Sequence, residues 1–245
     1  MNPPLTLITG ASRGLGLAMA QQLHAGGHRL LTLSRQRTAA LPAGVTQWTL
    51  DLADAATAAE RLEAWLREQD LATIGRLTLI HNAALLPPAL PLADLASAEL
   101  STALRVSLEA PLLLSAAFLR ATAAASAPRK LLFISSGLGR RGMAGQATYC
   151  AAKAGLDNLA RALALEEAER SNGAKVVSLA PGVIDTDMQH TLRSADPGRF
   201  SSQAMFAALK ANQQLDSPAD AAAKVLRYLA RADFGANPVA DVRDP

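Results

Sequence analysis

Short aliphatic runs alternate with longer Ala- and Leu-rich stretches along this chain. Leu5–Thr9, Arg29–Ser34, Val45–Leu50, Leu77–His81, Lys130–Ser135 and Lys175–Leu179 read as six strands. These runs are short and mostly aliphatic, as strands covered on both faces require. Gly14–Ala25, Ala55–Gln69, Ser97–Ala124 and Ala147–Arg170 read as helices between them. Strands that alternate with helices lie parallel, with crossover helices on both faces of one sheet: an α/β, doubly wound domain. A last helix is predicted from Pro218 to about Ala230, where Ser217 can cap it, Pro218 suits the first turn and Asp220 completes an S-x-x-D box. Between Asp187 and Asp216 the pattern weakens around Pro197-Gly198. That stretch reads either as a mobile lid over a site or as a surface insertion. The expectation is a single domain over residues 1–245, with a lid-like segment at about 187–216.

Composition narrows this picture. Half of the 245 residues are hydrophobic but only 4% are aromatic, so the core has to be aliphatic. No apolar run is read as reaching the roughly 18–20 residues of a membrane span. Met1-Asn2-Pro3-Pro4 offers no basic stretch ahead of its brief apolar run, so no leader is expected and the cytoplasm is the default location. Cys150 is the sole cysteine, which excludes an internal disulfide and a thiolate zinc cluster. His24, His28, His81 and His190 lack ligand spacing, so no metal site is expected. The charge is +3 and the pI about 9.3. Its arginines are scattered without interleaved aromatics, which fits a solvated surface and not a nucleic-acid face.

Candidate chemistry starts at the first strand–helix junction, Thr9-Gly10-Ala11-Ser12-Arg13-Gly14-Leu15-Gly16. Glycines there let the backbone turn sharply and approach a pyrophosphate, while the helix start offers free N–H groups and a positive dipole end. The spacing is G-x-x-x-G-x-G, so the junction reads as a nucleotide site because of its place in the fold. The second strand ends in Ser34-Arg35-Gln36-Arg37. An acid at that position would grip the 2′-hydroxyl of NAD, whereas arginine favours the 2′-phosphate of NADP(H). Arg13 is a candidate second cation. Both arginines also fit an ordinary solvated surface.

Tyr149 and Lys153 stand four apart on one face of the helix after the fifth strand. A phenol near pKa 10 is a poor catalyst at neutral pH, and a nearby ammonium lowers that pKa. Ser135 and Ser136 end the preceding strand, and Ser136 lies thirteen residues before Tyr149. Ser136 either holds a substrate oxygen beside the phenol or simply caps a turn.

Taken together, these motifs resemble the short-chain dehydrogenase/reductase family. The resemblance rests on Thr9-Gly10-x-x-x-Gly14-x-Gly16, Asp51-Leu52, Asn82-Ala83-Ala84, Ser136, Tyr149-x-x-x-Lys153 and Pro181-Gly182-x-x-x-Thr186, all in order. It implies a Rossmann-type fold, with Ser12, Arg13 and Leu15 at the cofactor along with the glycines. It gives Tyr149 the acid–base role, Lys153 that of lowering its pKa and binding ribose, and Ser136 that of orienting substrate. Asp51 and Leu52 would contact adenine, Asn82 and Ala83 would line the cofactor, and Ile184 and Thr186, after Pro181 and Gly182, would hold its carboxamide. Homodimers or homotetramers acting on a small carbonyl substrate are implied as well. Two departures stand out: Ser107 replaces an asparagine that the family uses in a proton relay, and Ala84 replaces a glycine. The tail Val239–Arg243 is similar to that of the sepiapterin reductase and benzil reductase branch.

Other residues are read more plainly. Arg140-Arg141 fits a solvated loop, Asp185 and Asp187 fit loop or capping roles, and Met143 and Phe200 are candidate pocket walls. Two function classes follow: an NADP(H)-dependent carbonyl reductase or alcohol dehydrogenase, or a non-catalytic dinucleotide-binding sensor or scaffold on the same fold.

Overall fold

Leu, Ile, Val and Thr at successive strand positions have to be covered on both sides, and the fold does this. The computed structural model describes residues 2–244; Met1 and Pro245, the two ends of the expected domain, lie outside the described residues. Seven strands form one sheet in the order β3-β2-β1-β4-β5-β6-β7, and every neighbouring pair is parallel. They are β1 (Leu5–Thr9), β2 (Arg29–Ser34), β3 (Thr46–Thr49), β4 (Leu77–His81), β5 (Arg129–Ile134), β6 (Lys175–Ala180) and β7 (Val239–Asp241). Successive side chains alternate between faces. Leu7, Leu31, Leu79 and Leu131 therefore enter one core and Ile8, Leu30, Ile80 and Leu132 the other.

The first core is closed by α2 (Ala55–Arg67), α4 (Ala110–Ala121) and α5 (Ala147–Ala168), through Leu62, Leu66, Leu114, Phe118 and Leu156. The second is closed by α1 (Gly14–Ala25) and α8 (Pro218–Ala230), through Met19, Leu23, Val225 and Leu229. The start of α8 is as the sequence indicates: Ser217 Oγ accepts from the Asp220 N–H at 3.1 Å. The doubly wound Rossmann-type architecture stands as read.

Three expectations need correction. First, the stretch from Ser97 is not one plain helix. It runs as α3 (Ser97–Leu104), a π-helical turn at Arg105–Glu109, and α4. Pro111 has no N–H for the carbonyl four residues back, that of Ser107, and the wider turn absorbs the break. Second, this continuous run, Ser97–Ala121, is long and apolar enough to cross a membrane by length and composition. Half of its most apolar stretch is buried, because it packs on the sheet and on α2. Third, β7 was not foreseen; three residues are too few to display a period.

The 187–216 stretch holds two further helices, α6 (Asp187–Arg193) and α7 (Gln203–Ala211). They carry their own small core of Leu192, Phe200 and Phe206 against Ala89. Phe200 stacks on Phe206 with centroids 5.8 Å apart, so it is a core residue and not the pocket wall expected of it.

Candidate active site

Strand order reverses between β1 and β4, the place where open α/β sheets form a crevice at the carboxyl ends of their strands. A cleft of about 1090 Å³ lies there. Every candidate catalytic and cofactor residue read from the sequence lines it except Ser107.

At one end the chain turns tightly. Gly10 has φ +70°, and a Cβ on Gly16 would stand 2.3 Å from the Gly10 carbonyl oxygen and 2.4 Å from Asn82 Nδ2. Asn82 builds this turn: its amide donates to the carbonyls of Thr9 at 3.1 Å and Gly10 at 3.0 Å. The backbone N–H groups of Asn82 and Ala83 both donate to Thr9 Oγ1 at 3.0 Å. α1 then starts without a side-chain cap, which leaves first-turn N–H groups for an anion. The Ala11 N–H donates to Ser34 Oγ at 3.0 Å, joining the turn to the end of β2. Arg35, the next residue, stands exposed on the cleft wall. Arg13 lines the cleft too, and its exposed guanidinium is paired with Asp187 on α6. Asp51 lines the wall beyond β3 and fixes its own loop by accepting from the Ala53 N–H at 2.9 Å. A tight cradle and an uncapped helix start together fit the pyrophosphate of a dinucleotide.

The catalytic candidates meet farther along. Ser136 follows β5, and its Oγ accepts from the Leu138 N–H at 3.2 Å, so it caps a short turn while facing the cleft. Lys153 is buried; its ammonium donates to the Ile134 carbonyl at 2.7 Å and lies 5.4 Å from the centre of the Tyr149 ring. Burial pushes the Tyr149 phenol up to about 12; Ser136 pulls it back and Cys150 adds to the rise. In the protein by itself the phenol therefore stays protonated at neutral pH. Burial also brings Lys153 down to about 8, against the opposing pull of Asp157.

Ser107 is not part of the cleft wall. It is buried in the π-helical turn, and its Oγ accepts from the Leu85 N–H at 3.0 Å. This bond anchors the loop after β4. Ser107→Ala is expected to lower stability by about 1–3 kcal/mol, since it strands a buried N–H. Urea unfolding reads the loss, and kcat per folded molecule should stay close to wild type.

Several smaller readings change. Arg140 is exposed, as read, yet tethered: it donates to the Ala240 carbonyl at 2.7 Å and faces Asp157. Arg141 and Met143 line the cleft. Asp185 is held by Arg193 at 3.0 Å and Lys210 at 2.5 Å. Sequence reasoning missed Asp241, at the end of β7 on the cleft wall, and the buried Asp157. The signal for Asp157 was available: a carboxylate one turn beyond Lys153 on an otherwise apolar helix face.

The described geometry agrees with comparisons to known proteins. Residues 4–197 match the family model for short chain dehydrogenase. The chain is 33% identical over 225 residues to a benzil reductase ((S)-benzoin forming) of Bacillus subtilis, covering 92% of this chain and 93% of that protein. It is 32% identical over 222 residues to a 3-oxoacyl-(acyl-carrier-protein) reductase of Salmonella typhimurium, covering 87% and 86%. The crystal structure of a 3-oxoacyl-(acyl-carrier protein) reductase from Brucella melitensis, in complex with NAD, superposes with a TM-score of 0.80 at 25% identity, covering 99% of this chain and 96% of that one. The chain belongs to the short-chain dehydrogenase/reductase family, oxidoreductases that transfer a hydride with a nicotinamide dinucleotide.

Proposed function

We propose that this protein is an NADP(H)-dependent carbonyl reductase acting on bulky, apolar carbonyl compounds. The observation that carries the reading is one cleft wall that holds Ser136, Tyr149 and Lys153 in line with the glycine turn. When bound, the reduced nicotinamide supplies the hydride. Tyr149, kept protonated by burial, gives its proton to the carbonyl oxygen, and Ser136 holds that oxygen by hydrogen bond. Lys153, an ammonium fixed on the Ile134 carbonyl, stabilises the phenolate that results. It would also hold the ribose hydroxyls of the cofactor. Ile184, Thr186, Pro181 and Gly182 line the same cleft and would hold its nicotinamide carboxamide.

Leu85, Leu86, Leu138, Met205, Phe206 and Leu209 give the cleft an apolar lining as well, suited to aromatic or branched ketones. The benzil reductase relatives point the same way. Exposed Leu112 on α4 and Leu165 on α5 support a homodimer or homotetramer, and a cytoplasmic location is kept as part of this proposal. The test is NADPH consumption across ketones, diketones including benzil, quinones and pteridines. Turnover of benzil is the expected result. Tight NADPH binding with no consumption on any member would instead favour a non-catalytic sensor.

Arg35 should carry much of the cofactor preference. The stretch Ser34–Thr38 on the cleft wall contains no carboxylate, so a 2′-hydroxyl finds no charged acceptor there, while a 2′-phosphate would meet Arg35. A charge-assisted contact in so open a place lies near the low end of roughly 1.5–3 kcal/mol. NADPH is expected to be preferred about tenfold through Arg35. Arg35→Asp should reverse the preference, since it adds repulsion as well as an acceptor. kcat/KM for both cofactors measures this; equal use of NADH by wild type would refute the NADP assignment.

A further inference from the structure

The mechanism above does not use Asp157, although it is among the most deeply buried charged residues of the fold, at 1% exposure. It follows Lys153 by one helical turn and shares its face. Oδ1 accepts from Ser135 Oγ on β5 and from Ser178 Oγ on β6, each at 2.7 Å. Oδ2 stands 3.3 Å from Arg140 Nε, in the loop after β5, and has no hydrogen bond of its own. Behind Arg140 lies Asp241 on β7, at 4.0 Å and itself paired with Arg243. The groups that face this carboxylate are therefore Lys153 on its own helix, two hydroxyls from the sheet and one guanidinium from the loop.

Burial of a carboxylate is unfavourable unless partners compensate it, and an apolar residue at such a position is often as stable or more so. The partners here all bear on the reacting groups. Ser135 precedes Ser136 directly. Lys153 is the cation beneath Tyr149. We infer that Asp157 is a positioning residue for the reaction: it keeps Lys153 in its ammonium form and pins the strand end that presents Ser136. The inference rests on reading Tyr149 and Lys153 as the acid–base pair. Arg140 opposes Asp157, because its own positive charge disfavours a second cation nearby.

The signs can be worked out. Burial has already brought Lys153 down to about 8, and Asp157 is the group that resists this. Asp157→Asn keeps an oxygen to accept from both serines but removes the charge. Lys153 should then lose its proton about one pH unit lower. Arg140→Gln removes the opposing cation and should move Lys153 the other way. Ser178→Ala removes one hydrogen bond and no charge, so it should leave the titration in place.

Two readouts apply to the full-length protein. The first is kcat against pH with NADPH and benzil. Its alkaline limb should move down in Asp157→Asn, up in Arg140→Gln and stay put in Ser178→Ala. The second is the unfolding free energy against pH without cofactor. A lysine at about 8 when folded and near 10.5 when unfolded binds more protons in the unfolded state between those values, so stability rises with pH across that window. The rise should start about one unit lower in Asp157→Asn and higher in Arg140→Gln. Should Asp157→Asn not fold, the upward move in Arg140→Gln decides the matter. An unmoved onset in both variants, or the same shift in Ser178→Ala, overturns the proposal. Because the second readout needs no turnover, it can fail or succeed independently of whether Tyr149 is the acid.

Discussion

Tyr149→Phe is expected to lose nearly all turnover while cofactor binding stays close to wild type. The phenol is half-buried on the cleft wall, its pKa is pushed up to about 12, and α5 places it beside Ser136. Phenylalanine fills the same space and leaves the Lys153 bond to the Ile134 carbonyl untouched, so the change removes a proton donor and little else. A positioned acid–base group contributes typically about 10²–10⁴-fold, and a loss of that size should fall on kcat rather than KM. Steady-state kinetics with a substrate found in the reductase screen measures it. A variant that keeps most of the wild-type kcat would end the acid–base reading.

Gly16→Ala should have a comparable effect on binding. The added methyl would stand 2.3 Å from the Gly10 carbonyl oxygen and 2.4 Å from Asn82 Nδ2. Neither neighbour can give way cheaply: one is backbone, and the other already donates to Thr9 and Gly10. The turn has to open, which carries the first N–H groups of α1 away from the phosphates. Hydrogen bonds to a charged group are worth roughly 1.5–3 kcal/mol each. Loss of one or two lowers dinucleotide affinity by about a hundredfold or more. A fluorescence titration with NADPH gives the affinity, and circular dichroism shows whether the fold persists. An unchanged Kd in a folded variant would mean that the cradle lies elsewhere.

Much of this molecule could be read before any coordinates. β1, β2 and β4 fall on the predicted residues because continuous aliphatic runs ended by glycine, serine or asparagine have few alternatives in an α/β chain. The start of α8 was equally clear, since Ser217, Pro218 and Asp220 are three local signals that agree. Residues of the cleft were legible where local chemistry demands a residue type, as in the glycine turn and the Tyr149–Lys153 pair. What stayed hidden depends on long-range contact. Arg13 looked free because Asp187, far along the chain, is its partner. Ser107 looked like part of the proton path because its helix matched, yet it faces Leu85 through a π-helical turn that no periodicity reveals. Phe200 looked like a pocket residue, and only the packing of α6 against α7 shows it sealed inside.

The late strand β7 also sets an order of events during synthesis. It pairs with β6 across some sixty intervening residues, Ala180 lying opposite Asp241. Its Ala240 carbonyl receives the Arg140 guanidinium. Until residue 241 has left the ribosome, β6 is an unpaired parallel edge, open to wrong partners, and Arg140 has no carbonyl to tether it beside Asp157. The glycine turn, by contrast, needs only the three neighbouring strands β2, β1 and β4, all made early. A nascent chain can therefore assemble its nucleotide cradle well before its catalytic end is finished, and ligand held there would stabilise the half-made sheet by mass action.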